Sequence, residues 1–261
     1  MNPAVPLPVD VRLMNTTAMV LFLTFVVFGA VTGGRWLARL PQFDIRSIAV
    51  TGDVTHTNVV TLRANVAPRL SGTFFSVDLA RARAAFEAVP WVRHAVVRRD
   101  FPNRLRVDLQ EHQAVAYWGE EGALRLINSF GEVFEANVGE VEQDMLPRLN
   151  GPEGQSAEVL AMYRALQPLF EQMDIPMEQL ELSQGGSWQA RLDTSGVIEF
   201  GRGGVDDVVP RTQRFLKTLT QVTARYSRRA NAVESADLRH ENGYAIRLRG
   251  VSTQANVTPK R

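Results

Sequence analysis

From position 13 to position 34 the chain reads LMNTTAMVLFLTFVVFGAVTGG, a stretch without one charged residue, closed by Arg12 on one side and Arg35 on the other. A hydrocarbon core of about 30 Å takes roughly 20 helical residues to cross, which this stretch supplies. A buried soluble helix would carry a polar face at 3.6-residue spacing, and Ala18 to Val31 has none, being dense in Val, Leu and Phe instead. The expectation is a membrane-spanning helix over 18–36 behind a short tail, 1–17. The competing reading is a cleaved signal peptide, because a positive residue precedes an apolar run that ends in Gly29, Ala30, Thr32, Gly33 and Gly34. Two features favour the span: the apolar region exceeds the ~7–15 residues of a signal h-region, and Arg35-Trp36-Leu37 resembles an interfacial anchor. Local charge favours an outside amino terminus, since Arg35, Arg39 and Arg46 follow the stretch and only Arg12 precedes it. That rule has little force over the long domain downstream, because large domains translocate largely regardless of charge.

The 261 residues leave room beyond the span for two modest domains. Charged residues make up 22% and hydrophobic ones 45%, with a formal net charge of +1, so no extended basic footprint for nucleic acid exists. There is no cysteine, which excludes disulfides, thiolate nucleophiles and cysteine-rich zinc sites and leaves the redox compartment open.

Residues 41–112 read as strand, helix, helix, strand, strand. FDIRSIAVTG, over 43–52, is a strand-like run closed by glycine. Thr57 is expected to cap a helix through Leu70, and Asp78 a second one from Leu79 to Val89, with Leu79, Ala82, Phe86 and Val89 on one face. After Pro90-Trp91 comes a hairpin turning at DFPN, where Leu105, Val107 and Leu109 alternate with Arg104, Arg106, Asp108 and Gln110. Two helices on a three-stranded sheet make a small α+β module.

From 113 to 250 short strands enclose two helices. AVAYW and ALRLINSFGEVFE read as strands, and LPRLNGPEG ends in a loop. Ser156 opens a helix to Glu171 with Val159, Met162, Tyr163, Leu166 and Phe170 inward. WQARLD and VIEFG form a hairpin-like pair. Another helix is expected from Pro210 to Tyr226, behind the acidic Asp206-Asp207, with Phe215, Leu219, Val222 and Tyr226 on its stripe. Strands over 235–239 and 243–248 follow, joined by a His-Glu-Asn-Gly turn, and the tail 251–261 has little to bury and is expected to be disordered.

Little chemistry is visible. His56, His94, His112 and His240 are scattered without an H-E-x-x-H pair, and they read as surface or sheet residues. No G-x-S-x-G elbow or S-x-x-K pair offers a nucleophile. Gly201-Arg202-Gly203-Gly204 lacks the lysine and hydroxyl of a phosphate loop and reads as a turn at a strand end. Arg211, Arg214, Lys217, Arg225, Arg228 and Arg229 read as a solvated basic face, the alternative being an anionic lipid or glycan surface. Glu120-Glu121 are adjacent, so a strand would point them to opposite sides rather than to one substrate. The remaining candidate is ADLRHENGYAIRLRG, whose last strand, if it lies at a sheet edge, offers free backbone groups to a partner strand. There Arg239 would fork onto a carboxylate while Tyr244 and Ile246 give apolar grip; the alternative is internal pairing, with Arg239 serving solubility.

IAVTG, GTFFSVD, VPWVRHAVVRRDFPNRLRV, EHQAVAYW, INSFGEVFE, LPRLNGPEG, SWQARL, FGRG and ADLRHENGYAIRLRG stand in an order and spacing that resemble the bacterial cell-division FtsQ/DivIB family over most of the chain. The resemblance implies an inner-membrane protein with a cytoplasmic amino terminus, a single transmembrane helix, a periplasmic POTRA module matching the β-α-α-β-β segment, and a following mixed β domain with inserted helices. It implies a non-enzymatic scaffold at the septum, without cofactor or metal, that binds FtsB and FtsL and helps recruit and regulate septal peptidoglycan synthesis. The family's FtsB strand adds at the carboxy-terminal edge, which carries over to Asp237, Leu238, Arg239 and Gly243, with His240, Tyr244, Ile246 and Leu248 around them. Two positions depart from the pattern: His240 stands where many relatives place tyrosine, which keeps a ring able to stack and hydrogen-bond but gives up the phenol's reach, and Leu248 where a bulkier aromatic occurs. Two alternatives belong to other classes. POTRA modules also precede outer-membrane polypeptide-transport barrels, but these need many ~10-residue alternating strands. A periplasmic wall enzyme would need a usable carboxylate pair.

Overall fold

The computed structural model describes residues 9–38, 40–52, 54–70, 72–120, 122, 125–137, 139, 141, 146–240 and 243–251. Two compact units divide after Glu111. Apart from Val251, the tail lies outside the described residues.

In the first unit α1 (Val9–Leu37) starts earlier than the apolar run requires. The stretch Leu13–Leu37 has a mean hydropathy of 1.9 and none of it is buried against protein, so it is long and apolar enough to cross a membrane. Its hydroxyls are satisfied inside the helix. Those of Thr16 and Thr17 both donate to the Leu13 carbonyl, Thr24 to Val20 and Thr32 to Phe28, each at 2.8 Å, which removes the cost of polar groups in lipid.

The strand expected over 43–52 is shorter, β1 (Ser47–Gly52), because Pro41–Phe43 form a 3-10 turn. It pairs in parallel with β3 (Arg104–Glu111), which pairs antiparallel with β2 (Val92–Asp100), giving the order β1-β3-β2. Gly52 ends β1 at φ +106, where an added Cβ would stand 2.1 Å from the Leu109 carbonyl oxygen, so only glycine fits. The helices are α2 (Val59–Val66), followed by a 3-10 turn over Ala67–Arg69, and α3 (Leu79–Glu87). Leu62, Val66, Phe86, Val89, Val107 and Leu109 meet in the core between helices and sheet. Asp78 caps α3 as expected, accepting from the amides of Ala80 and Arg81. The α2 cap is Asn58, not Thr57: the Asn58 side chain accepts the Val60 N–H at 2.7 Å, and the Thr57 N–H is drawn instead to Glu111. Asn58→Ala is therefore expected to lower the stability of this unit by about 1 kcal/mol, read as a fall in its thermal midpoint; an unchanged midpoint would return the capping role to another residue.

The second unit is a nine-stranded mixed sheet in the order β12-β11-β10-β9-β8-β7-β4-β5-β6. Its strands are β4 (Ala114–Trp118), β5 (Arg125–Asn128), β6 (Val133–Glu135), β7 (Arg148–Asn150), β8 (Met177–Leu182), β9 (Ser187–Leu192), β10 (Val197–Arg202), β11 (Val233–Asp237) and β12 (Ala245–Leu248). The two inserted helices have a topological cause. β7 and β8 are parallel, as are β10 and β11, and parallel neighbours need a long crossover, supplied by α4 (Ser156–Glu171) and α5 (Val205–Arg225). Val159, Met162, Leu166 and Phe170 of α4 and Phe215 and Leu219 of α5 are fully buried over the sheet.

α5 differs from expectation at both ends. It begins at Val205, five residues ahead of Pro210, because Gly204 caps it and Asp206 and Asp207 occupy its first turn; the Gly204 N–H donates to Asp207 at 3.2 Å. Tyr226 follows the helix and is 50% exposed, so it leaves the buried stripe, and Arg228 and Arg229 lie beyond the helix.

Candidate protein-interaction edge

The last strand among the described residues is the sheet's outermost one. β12 pairs antiparallel with β11, with Asp237 opposite Ala245 and Ala236 opposite Ile246, and among the described residues no strand pairs its other side. In such a ladder alternate residues of the outer strand direct N–H and C=O away from the sheet, a template for another strand. β11 is itself held in parallel by β10, and the Leu238 N–H extends that ladder to the Glu199 carbonyl at 2.8 Å.

Side-chain alternation assigns the faces. Tyr244 and Ile246 are half-buried against the core, Leu248 is buried, and Ala245 and Arg247 face solvent, with Arg247 3.7 Å from Glu234. Tyr244 is fixed by α5: its hydroxyl shares a 2.7 Å hydrogen bond with Thr218, and its ring meets Phe215 edge-on at 4.9 Å. The expected apolar grip by Tyr244 and Ile246 is thus spent mainly within the chain. Leu238 and Leu248, expected at the contact, are core residues at 1% and 5% exposure. Their place in the motif is to set the register of the edge.

Arg239 does fork onto a carboxylate, but onto its neighbour. Its Nε and Nη2 donate to the two oxygens of Asp237 at 2.9 and 2.6 Å, and its backbone N–H adds a third bond at 3.0 Å. These bonds hold the Asp237 carboxyl down at about 2 and raise the Arg239 guanidinium. The side chain remains 59% exposed, so the guanidinium is pre-aimed while still open to solvent. Its stem crosses Gly201, where an added Cβ would come within 2.9 Å of the Arg239 Cγ. Gly201 and Arg211, which donates to the Phe200 carbonyl beneath it, are site residues that sequence reasoning missed. The available signal was a glycine inside a strand, which often marks a close approach. His240 and Gly243 are exposed, and Glu241 and Asn242 lie outside the described residues. A cavity of ≈ 220 Å³ beside α5 is lined by Arg211, Phe215, Leu238, His240 and Tyr244 among others.

The other sequence candidates do not converge on this edge. His56 stacks on Trp91 at 4.1 Å, His94 lies 3.1 Å from Glu87, and His112 stacks on Phe134 at 4.2 Å. Among the described residues no group of three or more His, Asp or Glu could hold a metal. Gly201 and Arg202 belong to β10, still paired with β9, so the expected turn is shorter: Gly203 follows the strand and Gly204 caps α5. Glu120 is exposed, and Glu121 lies outside the described residues. Of the basic series, Arg211 is turned inward and Arg228 donates to the Gly250 carbonyl at 3.1 Å.

Residues 116–239 match the family model for the C-terminal region of cell division protein FtsQ/DivIB, and residues 43–112 the FtsQ-type POTRA domain. The chain is 38% identical over 262 residues to the cell division protein FtsQ of Thiomonas arsenitoxydans, covering 97% of this chain and 95% of that one. It is 40% identical to that of Burkholderia pseudomallei, covering 93% and 94%, and 36% identical to that of Bordetella pertussis, covering 92% of each.

Proposed function

Because the chain belongs to the FtsQ/DivIB family of cell division proteins, we propose that it is a non-catalytic scaffold whose β12 edge takes up a strand of FtsB, with FtsL joining the same complex. The assembly helps recruit and regulate septal peptidoglycan synthesis. In this reading the tail 1–17 is cytoplasmic, 18–36 crosses the inner membrane, and the POTRA module 41–112 and β domain 113–250 are periplasmic and gather at the septum. The observation that carries it is the outermost place of β12 in a nine-stranded sheet. Main-chain pairing supplies the affinity, and Asp237, Arg239, His240 and Gly243 at the head of the edge supply the selection.

The test is binding of the detergent-solubilised full chain to FtsB, wild type against Arg239→Glu. The reversal places a carboxylate beside Asp237 and near Glu199, and it removes the fork that Asp237 holds in place, so weaker binding is expected. Equal affinity of both proteins would move the interface elsewhere. Failure of the wild type to bind would remove FtsB as the partner.

A further inference from the structure

Single exposed apolar side chains are ordinary on a protein surface, but a cluster of them on rigid backbone requires a reason. One such cluster lies in the first unit. Phe43, Phe74, Phe75 and Phe101 form a chain of edge-to-face contacts, Phe43 to Phe75 at 5.0 Å, Phe75 to Phe74 at 5.2 Å and Phe74 to Phe101 at 6.0 Å. Phe74 is buried, whereas Phe75 is 49% and Phe101 71% exposed. Three segments far apart in sequence supply these rings: the turn after α1, the loop before α3 and the tip of the β2–β3 hairpin.

Their common place is the end of α1. The Thr73 hydroxyl donates to the Ala38 carbonyl at 2.7 Å, and the Phe74 N–H donates to the Phe43 carbonyl at 2.7 Å. The connection is wound rather than extended, because Leu40 N–H returns to Leu37, Phe43 to Leu40 and Asp44 to Pro41. The hairpin tip joins through the Arg46 N–H, which donates to the Asn103 carbonyl at 3.0 Å. Phe75 follows Thr73 by two residues, so it stands within about 7 Å of the backbone at that hydrogen bond. A headgroup layer is itself about 5–8 Å deep on each side of the hydrocarbon. Trp36, 68% exposed in the last turn of α1, marks the same level.

We propose that Phe75 and Phe101 dip into the lipid interface around the end of α1, so that the POTRA module rests on the bilayer instead of swinging above it. The proposal rests on the reading of α1 as a membrane span. The rings are presented at little entropic cost. Arg99 pins the 74–77 loop from beneath, donating from Nε to the Phe74 carbonyl at 2.7 Å and from Nη2 to Val77 at 2.8 Å. Exposed Arg46, whose backbone is held to the hairpin tip, adds positive charge suited to lipid phosphates, while Arg104 is paired with Asp100 at 3.7 Å.

The absence of native cysteine makes the test direct. The full chain is reconstituted in phosphatidylethanolamine/phosphatidylglycerol bilayers with one nitroxide-labelled cysteine at Phe75→Cys, Phe101→Cys, Phe25→Cys or Gln110→Cys. Each label is then relaxed by oxygen, which partitions into lipid, and by a water-soluble nickel chelate. Phe25 reports the span, and Gln110 lies six residues along β3 from Arg104, about 20 Å away. The expected result is an oxygen-to-chelate ratio at 75 and 101 several-fold above that at 110 and below that at 25. A lipid signal at 25 with ratios at 75 and 101 equal to that at 110 overturns the proposal and leaves the span intact. A water-like signal at 25 overturns both.

Discussion

Replacing Glu111 with alanine is expected to cost the first unit about 3–5 kcal/mol, because one buried carboxylate terminates three backbone donors. Its Oε2 accepts the N–H groups of Thr55 and His56, both at 3.0 Å, and its Oε1 accepts that of Thr57 at 2.7 Å. The side chain is 3% exposed, so water cannot replace it. Each orphaned amide forfeits about 1–3 kcal/mol, less whatever the loop recovers by moving outward. Glu111→Gln keeps the shape but turns an amide donor toward donors, and an intermediate loss is expected. Hydrogen exchange of the α2 amides provides the local reading; protection in Glu111→Ala within about 1 kcal/mol of wild type would mean that the loop does not depend on this group.

The same residue predicts a pH dependence with a definite sign. Burial alone would raise the Glu111 carboxyl, but the bonds from His56 and Thr57 outweigh it, and its pKa is lowered from the ordinary 4.5. A carboxyl more acidic folded than unfolded adds stability above the unfolded value and loses it as pH falls through the folded one. The gap between wild type and Glu111→Gln should therefore be widest near neutrality and narrow below about pH 4.5. A gap that stayed constant on acidification would show that packing, rather than the charge, holds the loop.

How much of this was legible in the sequence depended on whether the information was local. Leu105, Val107 and Leu109 alternate with charged neighbours, and all three are buried in β3. Asp78 stands directly before an amphipathic run and caps it. The α4 stripe needed only its 3.6-residue spacing. β8 was missed because MEQLEL is polar and its pairing with β9 shifts register between Met177 and Gln179, which breaks the period-two signature. α5 was started too late because Pro210 reads as a first-turn residue, whereas Gly204 and the acidic pair occupy that turn.

At the edge the motif was visible but its division of labour was not. Asp237 and Arg239 satisfy one another two residues apart, and a strand pattern places both side chains on one face without saying that they bond. Leu238 is buried through its pairing with Glu199, almost forty positions earlier, and Tyr244 is anchored by Thr218 on α5. These are tertiary facts, which residue spacing along one strand does not contain.

That anchoring leads to the second large effect. Phe215→Ala is expected to destabilise the second unit by about 3–5 kcal/mol, since the ring is 1% exposed within the core and its removal leaves a cavity the sheet cannot fill. Phe215→Leu, which refills most of that volume, should cost no more than about 1.5 kcal/mol. The functional consequence is separable from the stability loss. The Phe215 ring is the wall against which Tyr244 stands edge-on, so without it the first residues beside β12 lose their support while the hydroxyl bond to Thr218 remains. A double-mutant cycle of Phe215→Leu with Tyr244→Leu should return a coupling of about 0.5–1.5 kcal/mol in stability, the range for aromatic pairs. If β12 is the docking edge, the same cycle measured on FtsB binding at a temperature where every variant is folded should show coupling of the same sign. Coupling in stability without coupling in binding would mean that Tyr244 buttresses the core and that the partner strand is aligned by Arg239 and its turn alone.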